Sequence, residues 1–183
     1  AHAHRPDSIF TGVIKYLGWE KYEKKDEQIV PFGYLFEFPE PRTVNQLNRE
    51  FLEKIGINGI RYIGREDAQI RRVALVGHIY PGAFVQESFE NGVYNDYSTE
   101  IIRIMEQNNV DCVLPGEVIE WNLLSYIRDA AAIGENKVCI NIGHFNWEQL
   151  GAKYAADWIS ELVGKEIPVT YMPTGDIWKY QLR

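Results

Sequence analysis

His144 and Glu148 stand four residues apart in the run Gly143-His144-Phe145-Asn146-Trp147-Glu148. The run follows Val138 to Ile142, an apolar stretch with the composition of a buried strand. Open α/β sheets place their ligands at the edge where such strands hand over to helices. With Asn146 as the cap of the next helix, Glu148 falls in its first turn. An imidazole nitrogen and a carboxylate oxygen meeting there suit a borderline divalent ion such as zinc, iron or manganese. A purely structural reading stands beside this one: His144 bonded to a loop carbonyl, Glu148 offsetting the helix dipole.

Three further groups carry chemistry-bearing side chains. His2, His4 and Asp7 offer three metal-ligand types within six positions, and alternate residues of an extended segment share a face; a solvated terminus is the plainer reading. Glu117, in Pro115-Gly116-Glu117, follows a second buried strand and can act as a general base or orient a ligand, or simply favour a helix's first turn. His78, in Gly77-His78, follows a third strand and can line a pocket, or make a structural hydrogen bond. The phosphate-loop, dinucleotide and nucleophile-elbow motifs are all missing from the sequence. Cys112 and Cys139 sit in apolar runs that read as reduced core, which disfavours a thiol nucleophile. Metal-assisted chemistry is the class that remains.

The elements that must position these residues alternate along the chain. Ser8 caps a helix with an apolar face of Ile9, Val13, Ile14 and Leu17, ended by Gly18. Phe32 to Phe38 reads as extended, closed by Pro39 and Pro41. Thr43 and Gln46 form a capping-box pattern before a helix with Val44, Leu47, Phe51 and Ile55 in register, stopped by Gly56. Strands are expected at Ile60 to Ile63, Val73 to Val76, Cys112 to Leu114, Val138 to Ile142 and Val169 to Met172. Helices capped by Thr99 and Asn146, and one carrying Leu123, Leu124 and Ile127, lie between them. Residues 81–97 read as a long loop excursion. The order predicts an α/β fold, a mainly parallel sheet flanked by helices.

Composition limits the partners. The 183 residues are 45% apolar and 25% charged, and 19 basic against 26 acidic side chains give a formal charge of −7. Such an acidic chain lacks the basic stripe that nucleic acid requires. No apolar run reaches the ~20 residues that span a bilayer. The expected setting is the cytoplasm, without membrane association.

These motifs, taken in order, resemble the NIF-three-like dinuclear metal centre family, also called GTP cyclohydrolase 1 type 2 homologs. Gly143 to Glu148 matches the family's Gly-His-x-x-x-Glu signature, whose His and Glu are metal ligands. Leu114-Pro115-Gly116-Glu117 is similar to its Thr-Gly-Asp/Glu segment. Arg72 to Gly77 resembles its strand before a glycine-rich loop, and Phe38-Pro39-Glu40-Pro41 its Leu-Pro-Glu-Pro segment. His4 to Asp7 resembles its His-x-x-x-Asp stretch, in which the Asp is a ligand. The resemblance implies a NIF-three-like unit over residues 1–183 with two divalent ions (Zn, Fe or Mn) held by His144, Glu148, Asp7, His4 and His2. It also implies a hydrolase using a metal-activated water, with Glu117 moving protons and a small-molecule substrate such as a nucleotide, whose charge the metals or Arg5 would offset. The alternative is a non-catalytic adaptor. Self-association into a homo-oligomeric ring is implied in either case. The chain departs from the family in several places. His4 and Asp7 are three apart rather than four, Glu120-Trp121 replaces an aromatic-His pair, and residues 81–97 are longer than usual. The His-His-Pro motif is missing and the chain starts at Ala1 without Met, so the expectation is a fragment equal to the C-terminal two-thirds of the family pattern.

Overall fold

The first helix, α1 (Ser8–Leu17), is capped by Asp7, whose Oδ1 accepts the N–H groups of Ile9 and Phe10 at 2.9 and 3.1 Å. The expected cap, Ser8, is instead buried, and its hydroxyl donates to the carbonyl of Gly151. The protein is described by a computed structural model covering residues 7–27, 29 and 33–181, so His2, His4, Arg5 and Phe32 lie outside the described residues.

Strand β1 (Gly33–Thr43) runs through Pro39 and Pro41, which were expected to end it. It is an edge strand of the main sheet, and its register shifts between Glu37 and Arg42. Proline is tolerated where no ladder N–H is needed. Helix α2 (Val44–Ile55) carries both halves of the Thr43–Gln46 capping box and stops at Gly56. Strands β2 (Arg61–Ile63) and β3 (Gln69–Val76) follow.

Residues 81–97 contain a short hairpin, β4 (Ser88–Glu90) and β5 (Val93–Asn95), where the sequence reading saw only loop. Its turn is Asn91-Gly92, with positive φ at both residues, the strongest short-range hairpin signal. Helix α3 (Tyr97–Gln107) is capped by Asp96, and Thr99 returns the bond from inside the first turn rather than serving as the cap. Strand β6 (Cys112–Pro115), helix α4 (Leu123–Ala132) and strand β7 (Val138–Asn141) then alternate up to α5 (His144–Val163). Helix α5 begins at His144, two residues before the expected cap. Asn146 lies inside its first turn, donating to the carbonyl of Ile142 at 2.9 Å. The strand expected at Val169 to Met172 does not form; that segment has no regular structure.

The main sheet has the order β1-β3-β6-β7-β2. Its centre, β3-β6-β7, is parallel, and both edges, β1 and β2, are antiparallel to their neighbours. The α/β architecture is therefore as expected, a mixed sheet whose central strands are parallel. Alternate residues of each central strand feed opposite faces. Val73, Leu75, Cys112, Leu114, Val138 and Ile140 join a core containing residues of α1, α2 and α5, built around Trp19, Phe36, Phe51 and Trp147. Ala74, Val76, Val113 and Cys139 join a second core with Tyr97, Ile101, Leu123 and Ile127 of α3 and α4. Cys112 and Cys139 are free and buried, on opposite faces. Burial pushes Cys139 up to about 12 and Cys112 well above the ordinary thiol value, so neither is a nucleophile at neutral pH. Among the described residues no helix is long and apolar enough to cross a membrane.

Candidate metal centre

Each of the three parallel strands ends in the same way: within two residues its C-terminal end reaches a glycine, followed by a side chain that can bind a metal or a proton. These are Gly77-His78 after β3, Gly116-Glu117 after β6 and Gly143-His144 after β7. The loops after β3 and β6 remain paired beyond the strands. The Ile79 N–H donates to the Glu117 carbonyl at 2.7 Å, and Ile119 N–H donates to Ile79 at 3.1 Å. This pairing holds His78 beside Glu117. The phenol of Tyr97 accepts the Gly77 N–H at 3.2 Å and anchors the first loop from α3.

His78 is 8% exposed and packs against the rings of both His144 and Trp147, with centroid separations of 4.1 and 5.6 Å. Gly116 makes room for it, since a Cβ there would sit 2.7 Å from His78 Nδ1. Because α5 starts at His144, His144 and Glu148 are one helical turn apart and share a face. His144 Nε2 lies 3.1 Å from Glu148 Oε1, and His78 Nε2 lies 3.8 Å from the same oxygen. His78, His144 and Glu148 each offer a ligand atom, all within 4.8 Å of one another. Donors bound tetrahedrally at ordinary zinc distances stand about 3.3–3.5 Å apart, so the cluster fits an ion with small adjustment. Two imidazoles and a carboxylate form the donor set of zinc sites that keep a position open for water, and of non-haem iron sites.

Glu117 stands behind His144. Its Oε2 is 3.1 Å from His144 Nδ1, so the two ring nitrogens face two different carboxylates. A carboxylate on Nδ1 sets the tautomer that leaves Nε2 free to ligate. Partial burial would by itself lower the His144 pKa, but the bonds and charges of Glu148 and Glu117 outweigh it and the ring titrates above the ordinary histidine value.

Of the residues singled out in the sequence, the structure thus brings together His78, Glu117, His144 and Glu148. Asp7 is buried as the cap of α1 and is not part of this group of ligand atoms among the described residues. His78 entered the sequence reading as a pocket residue; its place among the ligand atoms follows from the β3-β6-β7 order, which no local motif encodes. Also unforeseen is a cavity of about 450 Å³ that reaches from Glu117, His144 and Glu148 to Arg61, Asn141 and Trp178. Trp178 belongs to the C-terminal segment, which no motif in the sequence connected with the site.

An α/β unit with a His-His-Glu cluster at the carboxyl edge of its parallel strands is the class that fold and site define. No protein-family model matches the sequence, and no curated protein matches it. By structure, the chain is similar to Staphylococcus aureus protein SA1388, with 18% identity, 81% of this chain and 42% of that one covered, and a TM-score of 0.53. It is similar to a Bacillus cereus protein related to NIF3, with 15% identity, 82% and 36% covered, and a TM-score of 0.55. It is also similar to the protein ybgI, of unknown function, with 18% identity, 93% and 56% covered, and a TM-score of 0.58. The fold is NIF-three-like, and the chain spans less than half the length of SA1388.

Proposed function

We propose that the protein binds a divalent metal ion through His78, His144 and Glu148 and uses it to hydrolyse a small-molecule substrate. The observation that carries this reading is the convergence of three ligand atoms on one point, with Glu117 bonded to the far side of His144. A bound divalent ion supplies Lewis acidity and a water ionised near neutral pH. Glu148 contributes negative charge that retains the cation, and Glu117 fixes the His144 ring. Glu117 is partly exposed, so its second oxygen can take a proton from the cavity and return it to a leaving group. Iron, zinc and manganese are the candidates, and a second ion, held with help from Asp7, His4 and His2, belongs to the same proposal. So do a nucleotide substrate of the GTP-cyclohydrolase type and a cytoplasmic setting, in which the two buried thiols stay reduced.

The test is metal analysis after chelation, reloading and desalting, followed by a screen of nucleotides and phosphoesters with each metal. Wild type is expected to retain metal and show turnover; His144→Ala and Glu148→Gln are expected to lose both. Glu117→Gln is expected to keep the metal with affinity reduced about 10–100-fold. Turnover that survives loss of both His144 and Glu148 overturns the assignment.

A second reading, a metal-binding adaptor that self-associates without turnover, is favoured by one observation. Phe89 and Val93 of the β4–β5 hairpin and Met172 of the C-terminal segment are exposed. Metal retention without any turnover, together with a sedimentation mass above one chain, supports that reading instead.

A further inference from the structure

The metal reading leaves unused the cavity wall opposite the cluster. That wall is made by β2 and the C-terminal segment. Arg61 of β2 pairs in register with Asn141 of β7, and both side chains line the 450 Å³ cavity and a neighbouring one of 370 Å³. Among the described residues lining these two cavities, Arg61 is the one permanent cation. It faces Glu120 at 3.7 Å, but both side chains are mostly exposed, at 63% and 81%. Such a pair is weak, and a better-placed acceptor can displace it.

Asn141 supplies the second, independent observation. It is 94% buried, being 6% exposed, and its Oδ1 accepts the Gly143 N–H at 3.0 Å and an Arg61 N–H at 3.4 Å. Those two donors fix the orientation of the amide. Its Nδ2 is buried with no hydrogen-bond partner among the described residues. An amide donor without an acceptor among the described residues suits an oxygen acceptor, and the guanidinium beside it, held only loosely by Glu120, makes an anionic one the better fit.

The remaining wall is aromatic. The C-terminal segment has no regular structure, yet it is tied down: Asn58 N–H donates to Asp176 Oδ2 at 2.8 Å, and Asn58 Nδ2 to the Trp178 carbonyl at 2.8 Å. The Tyr180 ring lies so close over Gly59 that a Cβ there would meet it at 2.8 Å. Trp178 and Tyr180 are thereby held beside the cluster with 57% and 41% of their surfaces exposed.

We propose that this cavity binds the substrate as an organic anion, a carboxylate or phosphate on a flat ring, with the anionic group on Arg61 and Asn141 and the ring against Trp178 and Tyr180. The proposal rests on the metal reading for the word substrate, and the arginine site stands or falls by itself. Phenyl phosphate, benzoate, inorganic phosphate and neutral benzyl alcohol are titrated into the zinc-loaded full chain by calorimetry, with zinc content measured in parallel. Phenyl phosphate or benzoate, and not benzyl alcohol, is expected to bind; the preferred one identifies the head group. Arg61→Gln is expected to weaken that anion at least tenfold with zinc content unchanged. Arg61→Lys recovers part of the loss, since it keeps the charge without the fork. Glu120→Gln strengthens binding, and Trp178→Ala weakens the ring-bearing anions but not inorganic phosphate. Anion binding that is equal in wild type and Arg61→Gln, or absent with zinc in place, overturns the proposal and leaves the metal site standing. Where no form retains zinc, the metal reading fails, and the same comparison on the metal-free chain decides the arginine site.

Discussion

His144 is the residue on which the site turns, because its two nitrogens serve opposite purposes. Nδ1 faces Glu117 and Nε2 faces Glu148, each at 3.1 Å. The two carboxylates favour the protonated ring, so His144 titrates above its ordinary value in the folded protein. For a raised pKa, the stabilisation is complete below the unfolded value of about 6.5 and is lost as pH rises through the folded value. Metal binding needs the deprotonated ring and therefore has the opposite trend. Calorimetry with and without zinc is expected to show a Tm increment that is small at pH 6 and larger at pH 8. An increment that falls with rising pH would contradict this. Asp7 invites a separate test, because a cap and a ligand respond differently to the same change. Asparagine caps as well as aspartate, whereas alanine costs about 0.5–2 kcal/mol. Acting only as the cap, Asp7→Asn keeps both Tm and metal content and Asp7→Ala lowers Tm. If Asp7 also ligates, Asp7→Asn lowers the metal content at unchanged Tm.

Helix α5 brings both His144 and Glu148 to the sheet edge, so its seat on the rest of the protein governs the site. That seat is a contact of backbone against backbone. A Cβ on Gly12 of α1 would fall 2.3 Å from the Leu150 carbonyl oxygen, and one on Gly151 would fall 2.5 Å from Ile9 Cα. Gly12→Ala must push the helices apart, at a cost of about 1–3 kcal/mol from overpacking. Urea denaturation is expected to report that loss, with weaker metal retention because α5 moves; an unchanged midpoint would contradict the account. At this scale much was legible in the sequence. The apolar runs at Val73 to Val76, Cys112 to Leu114 and Val138 to Ile142 mark β3, β6 and β7, the last ending one residue early at Asn141, and the Thr43–Gln46 box opens α2. The His144–Glu148 spacing was also legible, though their common helical face appeared only once α5 was seen to start at His144. Other features were not legible, for physical reasons. Asp7 and Asp96 are the caps in place of Ser8 and Thr99 because α1 and α3 start one and three residues earlier than expected, and Asp, Ser and Thr are all favoured cap types, so residue type alone does not choose between neighbours. The Asn91-Gly92 hairpin was readable and was missed. Arg61, Asn141 and the C-terminal aromatics share a wall only through the pairing of β2 with β7, which no local pattern records.

For the whole molecule, the parallel centre of the sheet gathers three chain-distant loops at one edge; a metal held by His78, His144 and Glu148 would cross-link the loops after β3 and β7, with the loop after β6 joined through the Glu117–His144 bond. Ligands that bind only the folded state stabilise it by mass action, about 2.7 kcal/mol when present at a hundred times Kd. Chelation is therefore expected to lower Tm by several degrees. The formal charge of −7 favours a dication over an anion as the first partner, and Arg61, the one permanent cation among the described residues lining the cavity, is then the point where an anionic ligand would be received. In the proposed site His78, His144 and Glu148 share one ion. X-ray absorption at the zinc edge, on the chain reloaded with one equivalent of zinc, tests it most directly. The expected shell has two imidazole nitrogens and carboxylate oxygen at about 2.0–2.2 Å, reduced by one imidazole in His78→Ala and in His144→Ala. A shell without imidazole, or one unchanged by either substitution, would contradict it.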